Sequence, residues 1–443
     1  MYNSCRTIRG MKQETKDGAL EVPHASAAAS SESYVREVVF PSANGLSHAG
    51  RSATVALLTG GADKPYALGL AGSLISQGVA FEFIGSDEVN GPELQGTGLA
   101  RFLNLRGDQR QESRLDKKVW RVLIYYARLV QYASMAKPGV FHILWNNKLE
   151  WLDRTLLLYY YRLCGKRIAF TAHNINVRQR DGNDTWLNRL TLKIQYRTVD
   201  HIFVHTERMK RELKAQFGVR NCKISVIPFG INSTVPNSAL TSAEARQRLG
   251  LTWREKAVLF FGNIAPYKGL EYLVEAMGVL ARAEREYRLI IVGKPKDCTA
   301  YWDQVQRLIS RVGLRSNVIE RIEYIPDEET EIYFKAADVL ALAYTHIFQS
   351  GVLSLGYNFG LPVVASDVGS FKEDIVEGRT GFVCRPMDSE DLARAIREYF
   401  ESDLYRELET RRQEIREFAC ERYSWTKVAA ITRNVYEQLQ RSR

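Results

Sequence analysis

Two glycine-containing segments in the second half of the sequence carry residue types suited to binding an anion. In the first, residues 261–276, an apolar strand runs into a loop ending at Lys268-Gly269, where a helix is predicted to begin. Backbone N–H groups at a helix start favour a phosphate, and the Lys268 ammonium would add a positive charge beside it. The alternative is a surface loop with a lone lysine, and the residues alone do not separate the two.

The second segment, residues 349–369, places Ser350-Gly351 before a helix of small residues that ends at Phe359-Gly360. A glycine-containing helix entry offers backbone donors to an anion, so we predict that Ser350 and Gly351 bind one. Gly356, inside the helix, is interpreted instead as a position of close packing.

Short apolar strands alternate with helical patterns along both halves of the chain. Predicted strands lie at 54–58, 80–84, 102–105, 141–145, 168–171, 202–204 and 224–227, and then at 257–261, 289–292, 339–343 and 363–365. Such alternation is typical of parallel sheets with helices on both faces, and 443 residues exceed the usual size of one core. The predicted fold class is therefore α/β, with two doubly wound Rossmann-like domains facing a cleft where ligands bind.

A turn-rich stretch at 228–241 marks the predicted boundary between the domains. We predict a disordered extension at 1–50, because it contains an Ala/Ser run and lacks sustained periodicity. The first domain then spans 51–235 and the second 236–420. Closing helices are predicted to begin near 389, 404 and 425, and the helix within 421–443 is a candidate to cross back to the first domain.

The net charge of +10 is concentrated in the first half of the chain. Residues 1–235 carry 32 basic against 20 acidic residues, which leaves 29 against 31 in the rest. This asymmetry indicates an anionic partner, with a solvated basic surface as the alternative. Nucleic acid is not expected, because the basic residues are dispersed and no known binding motif is present.

One tyrosine-rich apolar stretch, residues 119–132, is accompanied by a group of basic side chains: Lys117, Lys118, Arg121 and Arg128. Basic residues beside aromatic ones suit an anionic membrane surface, which is therefore a candidate partner. A helix that faces the core and has solvated cations is the alternative. Six scattered cysteines and the lack of a secretory signal predict a cytoplasmic location, with peripheral attachment at the inner membrane face as a further candidate.

The order of these segments, from about Val55 to Tyr436, resembles glycosyltransferase family 4, whose members have the GT-B fold. In that family a strand–Gly–Arg–loop–Lys–Gly segment binds the diphosphate of the sugar donor. Residues 262–269 are similar to it, with Lys268 in place and Asn263 where Arg is usual. No metal is expected, since no acidic metal motif is visible, and no cofactor beyond the nucleoside diphosphate sugar that serves as substrate.

The resemblance also implies roles for other residues. His173 lies in a segment similar to the family's histidine loop at the cleft and is predicted to be catalytic together with Lys268. Independently of the resemblance, the basic character of the first half predicts that Arg178 and Arg180, just beyond it, bind the acceptor by meeting an acceptor phosphate. The residues implied to bind the sugar donor are Gly60, Gly61, Asn263, Lys268, Gln349, Ser350 and Gly351.

The sequence departs from the family at its signature of two glutamates before a Gly-x-Pro. Counted back from Gly360, those positions hold Ile347 and Leu355, so neither contact can be carried over. A bacterial subgroup has Gln-Ser-Gly in this region, and Gln349 offers both a hydrogen-bond donor and an acceptor to a sugar hydroxyl.

The resemblance implies transfer of a sugar from a nucleoside diphosphate sugar to a glycan or lipid-linked acceptor, in bacterial surface polysaccharide synthesis. It also implies retention at the anomeric carbon. Two alternatives stay open: a sugar-nucleotide-binding protein with impaired catalysis, favoured by the missing glutamates, and a GT-B epimerase.

Overall fold

The structure, a computed structural model, describes residues 54–60, 64–107, 115–180, 183–230, 235–295 and 299–442, without the side chains of residues 93, 115–117 and 179–180. The predicted disordered extension at 1–50 lies outside these residues, as do Gly61 and the side chains of Lys117 and Arg180. Both sheets belong to one compact unit within residues 46–443.

In the described residues, seven parallel strands form the first sheet, in the order β3-β2-β1-β4-β5-β6-β7. The strands are Val55–Leu58 (β1), Phe81–Gly85 (β2), Ala100–Asn104 (β3), Val140–Ile143 (β4), Arg167–Thr171 (β5), His201–Val204 (β6) and Ile224–Val226 (β7). The second sheet has six described parallel strands, in the order β10-β9-β8-β11-β12-β13. They are Lys256–Phe261 (β8), Tyr287–Val292 (β9), Val318–Arg321 (β10), Val339–Leu342 (β11), Val363–Ser366 (β12) and Gly381–Cys384 (β13).

Helices connect the strands and cover both faces of each sheet. In the first half they are Lys64–Ser76 (α1), Leu115–Met135 (α2), Glu150–Leu152 (α3), Leu158–Leu163 (α4), Val177–Arg180 (α5), Trp186–Thr198 (α6) and Glu207–Phe217 (α7). In the second half they are Ser242–Arg248 (α8), Leu270–Ala283 (α9), Thr299–Arg311 (α10), Asp327–Ala336 (α11), Gly351–Asn358 (α12) and Phe371–Asp374 (α13). The closing helices are Ser389–Glu401 (α14), Asp403–Arg406 (α15), Leu408–Arg422 (α16) and Trp425–Arg441 (α17).

The predicted fold class of two doubly wound α/β domains is confirmed. Strands β1, β4, β6, β11 and β12 are buried along their whole length, as expected for parallel strands covered on both faces. Two described strands, β10 and β13, were not predicted. The helix predicted from residue 404 is divided into α15 and α16 at Glu407, whose backbone is not helical.

Helix α17 packs against α1 on one face of the first sheet, although it follows the second sheet in sequence. The Tyr436 hydroxyl lies 2.6 Å from Nδ1 of His142, a buried residue of β4 whose Nε2 lies 2.8 Å from the Thr171 hydroxyl. Helices α2, α4, α6 and α7 pack on the opposite face.

Strand order reverses between β1 and β4 in the first sheet and between β8 and β11 in the second. In open parallel sheets such reversals leave a crevice at the carboxyl ends of the strands, where ligands bind. The loops that follow these four strands are therefore where a site is expected.

Candidate functional site

A cavity of about 490 Å³ lies where these loops meet. It is lined by loop and helix-start residues from both halves of the chain and by one residue of α17: Pro65, Tyr66, Phe229, Gly230, Gly262, Asn263, Tyr267, Lys268, Tyr344, Ile347, Gln349, Ser350, Gly351, Val352, Leu355 and Trp425. We call it the cleft cavity. Five residues predicted to bind the sugar donor are among them.

Lys268 is the one charged residue among the described residues that line the cleft cavity. It is 4% exposed, its Nζ donates to the Phe261 carbonyl at 3.2 Å, and burial lowers its pKa to about 8. At pH 7 the side chain is therefore charged. Gly262 has a φ of +101°, and a Cβ there would lie 2.8 Å from Nζ, so a larger residue would press on the ammonium.

The start of α12 forms another part of the cavity wall. The Ser350 hydroxyl accepts from the Leu353 N–H at 3.3 Å and so caps the helix. The first N–H groups of a helix have no partner within it, which favours an anion at Gly351. Gln349, just before the cap, has a buried Oε1 with no hydrogen-bond partner among the described residues.

The two altered signature positions, Ile347 and Leu355, both line the cleft cavity. Their side chains cannot hydrogen-bond, and no described residue lining the cavity carries a carboxylate. Carboxylates lie instead in an adjacent cavity of about 350 Å³, which also contains Gln349 and includes Glu373 and Asp374. Gln349 thus stands between the two cavities.

His173 follows β5 and lies in a cluster of aromatic rings beside the cleft cavity. Its ring stacks on Trp145 with centroids 4.1 Å apart and meets the edge of Tyr66, a cavity residue, at 4.6 Å. Burial, and secondly the nearby His205, hold the pKa of His173 well below its usual value. The ring is therefore neutral at physiological pH.

The hydrogen bonds of His205 indicate which nitrogen of His173 carries the proton. Nδ1 of His205 lies 3.3 Å from the Ile227 carbonyl and must donate to it, and burial lowers the pKa of His205 to about 4. Its Nε2 is then an acceptor, so Nδ1 of His173, 3.1 Å away, donates to it. Nε2 of His173 is buried and has no hydrogen-bond partner among the described residues.

The remaining predicted residues lie outside the cleft cavity. Gly60, two residues beyond β1, lies close to the chain that follows β4, where a Cβ would be 2.4 Å from the Trp145 carbonyl oxygen. Arg178 lines a separate cavity of about 460 Å³ in the first domain, where its guanidinium lies 3.4 Å from Glu150. The structure therefore brings Lys268 and Gln349 together but sets Arg178 apart from them.

Five aromatic residues of the cleft cavity were not predicted as site residues: Tyr66, Phe229, Tyr267, Tyr344 and Trp425. The Trp425 ring lies 5.1 Å from Tyr66 and packs against Gly69 and Gly230. No local pattern marks Trp425, since its place in the wall depends on α17 reaching the first domain.

Comparisons with known proteins agree with this architecture. Residues 64–235 match the family model described as Glycosyltransferase Family 4, and residues 255–402 match the model described as Glycosyl transferases group 1. The D-inositol 3-phosphate glycosyltransferase of Streptomyces avermitilis is 29% identical over 244 residues, covering 54% of this chain and 51% of that protein. The chain thus spans about half the length of the first curated relatives it matches.

Solved structures resemble the chain over most of its length. Sucrose-phosphate synthase from Thermosynechococcus elongatus has a TM-score of 0.69 at 19% identity, covering 88% of this chain and all of that one. Anabaena HepE in complex with UDP and glucose has a TM-score of 0.65 at 19% identity, covering 87% of this chain and all of that one. The chain therefore belongs to glycosyltransferase family 4, the group 1 glycosyltransferases, and has the GT-B fold.

Proposed function

We propose that the protein transfers a sugar from a nucleoside diphosphate sugar to a hydroxyl of a glycan or lipid-linked acceptor. The observation that carries this proposal is that a buried Lys268, whose pKa of about 8 leaves it charged at pH 7, lines the same cavity as the start of α12, at both strand-order reversals. A diphosphate there would meet both the Lys268 ammonium and the backbone N–H groups at the start of α12. A role in bacterial surface polysaccharide synthesis is part of the proposal.

In the proposed reaction the bond between the anomeric carbon and the diphosphate oxygen breaks, and a bond to the acceptor oxygen forms. Negative charge develops on the departing diphosphate, and the Lys268 ammonium stabilises it without reorganisation of solvent. We propose that the Lys268 ammonium and the N–H groups at the start of α12 stabilise this charge without a metal ion. Among the described residues, no group of three His, Cys, Asp or Glu side chains is placed to hold one.

The acceptor hydroxyl loses its proton in the same reaction. We propose that the sugar keeps its anomeric configuration and that an oxygen of the departing diphosphate takes this proton. The resemblance to the family supports this assignment, and no described residue that lines the cleft cavity carries a carboxylate that could act as base or nucleophile. The lone pair on Nε2 of His173 is proposed to hold a sugar hydroxyl in place.

The cavity that contains Arg178 is the proposed acceptor site. It follows β4 and β5 in the first domain, and its wall combines the exposed Trp151 ring with polar side chains such as Asn188. A flat ring beside hydrogen-bonding groups is suited to a sugar, whose faces are apolar and whose edges are polar. The Arg180 side chain stays a prediction, since it lies outside the described residues.

A panel of nucleoside diphosphate sugars tests the proposed function. A true sugar donor should raise the melting temperature, and should then release its nucleotide in a coupled assay when acceptor extracts are added. Stabilisation without nucleotide release or sugar transfer would favour the alternative, a sugar-nucleotide-binding protein with impaired catalysis. The same alternative is favoured by Ile347 and Leu355, which stand where the family has two glutamates. A sugar nucleotide recovered with one inverted carbon would identify the epimerase instead.

Peripheral membrane attachment is a second part of the proposal. Helix α2 buries Tyr126 and Leu129 but exposes Trp120 and Leu123, which are 66% and 52% exposed. Further exposed apolar residues lie on α3, α4 and α6, which cover the same face of the first sheet: Trp151, Tyr159, Leu163, Trp186 and Leu187. No helix in the described ranges is long and apolar enough to span a bilayer.

We expect the protein to bind vesicles containing phosphatidylglycerol, and to bind them less as salt rises, since exposed charges are screened within about 8 Å at physiological ionic strength. Trp120→Ser with Leu123→Ser should weaken binding about tenfold or more, because each side chain loses apolar burial. Trp253→Ser, which removes an 80% exposed ring from the second domain, is the control. Equal sedimentation with neutral and anionic vesicles would contradict an electrostatic contribution.

A further inference from the structure

Two aromatic rings lie against the buried ammonium of Lys268. Its Nζ is 5.2 Å from the centroid of the Tyr344 ring and 5.7 Å from that of the Phe260 ring. Both distances are within the roughly 6 Å at which the face of an aromatic ring attracts a cation. With the Phe261 carbonyl, which accepts a hydrogen bond from Nζ, these rings are the contacts that the structure records for the ammonium. We call Tyr344 and Phe260 the ring pair.

No carboxylate neutralises this charge. Among the described residues Lys268 takes part in no ion pair, and none that lines the cleft cavity is acidic. A buried cation is usually paired, because burial removes the water that stabilises it. A carboxylate beside Lys268 would supply that partner but would also repel a diphosphate. The ring pair attracts the ammonium without carrying a negative charge of its own.

The other groups near Lys268 do not take over this role. Burial lowers the pKa of Lys268, and the one charged-group effect that opposes burial comes from Tyr267, the residue before it. On the β11 side Tyr344 is neutral, because burial raises its pKa. On the α12 side the neighbouring side chain is Val352, which does not titrate and whose Cγ2 would be 3.5 Å from a Cβ at Gly262.

The Tyr344 ring is fixed in its place beside the ammonium. Its centroid lies 6.1 Å from the Tyr267 ring and 5.5 Å from the Phe371 ring, both met edge to face. The loop that contains Tyr344 also binds the loop of Lys268, since the backbone N–H of Thr345 donates to the Tyr267 carbonyl at 2.9 Å. The spacing between ring and ammonium is therefore set before a ligand binds, which reduces the conformational cost of binding.

We propose that Tyr344, assisted by Phe260, is a positioning residue that keeps the Lys268 ammonium charged and in place without a counter-ion, so that its whole charge is available to the diphosphate of the sugar donor. This inference rests on the proposed transfer function. Tyr344 acts through Lys268 rather than through a contact of its own with the donor, because its side chain is almost fully buried. The charge is thereby organised before the reaction begins.

The charge of Lys268 can be followed directly in the full-length protein, without a ligand. In protein labelled with ¹³C at lysine Cε, the Lys268 resonance is the one missing from Lys268→Arg, and its titration midpoint should be about pH 8. We expect Tyr344→Leu to lower this midpoint by about one pH unit, since a desolvated contact between ring and cation stabilises the charged form by about that much. Tyr344→Phe keeps the ring and should keep the midpoint.

Tyr287→Leu is the matched control. Tyr287 is as buried as Tyr344, and its ring lies 4.8 Å from Nζ of another lysine, Lys256, at the end of the sheet away from Lys268. Its replacement should leave the Lys268 midpoint unchanged. If Tyr344→Leu does not fold, Phe260→Leu removes the other ring and should lower the midpoint in the same direction.

Three results would overturn the proposal. The first is a Lys268 midpoint that is unchanged or raised in Tyr344→Leu. The second is an equal fall in Tyr287→Leu, which would show a general effect of losing a buried tyrosine. The third is an equal fall in Tyr344→Phe, which would assign the effect to the hydroxyl instead of the ring.

Calorimetry with inorganic pyrophosphate tests whether the charge serves a diphosphate. The dissociation constant of Tyr344→Leu divided by that of the wild type removes the titration of pyrophosphate itself, which is common to both. We expect this ratio to be near one at about pH 6 and to reach about fivefold at pH 8, because the variant has then lost a charge that the wild type partly keeps.

A ratio that does not vary with pH would show that Tyr344 only supports the shape of the site, and would overturn its role. Failure of the wild type to bind pyrophosphate would overturn the assignment of the charge to a diphosphate. Neither the resonance nor the calorimetry requires turnover, so both are read independently of nucleotide release, which tests the proposed function.

Discussion

Lys268→Ala should lower turnover by about a hundredfold or more while leaving the protein folded. Removing one preorganised charge that stabilises a leaving group has this order of effect. Folding should not suffer, because the variant relieves the desolvation of a side chain that is only 4% exposed. Nucleotide release under saturating sugar donor is the measurement, with circular dichroism to verify the fold.

Lys372→Ala is the matched control, since Lys372 is an exposed lysine of the same domain that pairs with Asp367 at 3.5 Å. The pH profile gives a second check. The pKa of Lys268 is about 8 in the free protein, so its charge is present below that pH and lost above it, and kcat/KM should fall from about pH 8 upward. The Lys268→Arg variant stays charged above pH 8, so its kcat/KM should not fall there. Near-normal turnover of Lys268→Ala would remove the residue from the mechanism.

Gln349→Ala should weaken use of the sugar donor about tenfold to a hundredfold, whereas the nucleoside diphosphate alone should bind almost as before. Ile347 and Leu355 cannot hydrogen-bond, so we expect the amide of Gln349, whose buried Oε1 has no partner among the described residues, to orient sugar hydroxyls. A missing partner in a buried site costs on the order of 1–3 kcal/mol. Diphosphate contacts should persist, because they would come from Lys268 and the start of α12.

Calorimetry on both proteins, with the sugar nucleotide selected by the melting-temperature panel and with its nucleoside diphosphate, measures this difference. Gln306→Ala is the control, because Gln306 makes its hydrogen bonds on the surface, to Glu320 and Arg315. Equal loss of affinity for nucleotide and sugar nucleotide would show that Gln349 supports the diphosphate site. Unchanged affinities and turnover would rule out a role for Gln349 in place of the missing glutamates.

The interior strands could be predicted because burial on both faces makes them continuous apolar runs, such as Val55–Leu58 and Val339–Leu342. The two edge strands of the second sheet, β10 and β13, could not. Val318–Arg321 is half-exposed and ends in Glu and Arg, and Gly381–Cys384 begins with a glycine, so neither has the composition of a buried strand. Each of these strands is defined by its pairing with a neighbouring strand of the sheet, and a short stretch of sequence does not reveal that pairing.

The residues of the candidate site also differ in whether a local sequence pattern reveals them. Lys268 and Gln349 could be found because each lies in a short segment where a strand or loop leads into a helix, a pattern visible in one stretch of sequence. Trp425 lies more than 350 residues from Tyr66, although their rings are 5.1 Å apart. The hydrogen bond between His173 and His205 likewise joins two residues that follow different strands, β5 and β6. Only the assembled sheets bring such residues together.

The packing of α17 on α1 has a consequence for biosynthesis. The strands of the first sheet leave the ribosome well before residues 425–441, which cover one of its faces and supply Tyr436 to His142. At usual elongation rates the intervening chain of about 200 residues takes roughly 10–40 s to make. During that interval the nascent first domain exposes the apolar surface that α17 later covers, so chaperone binding should peak then and end when the helix emerges.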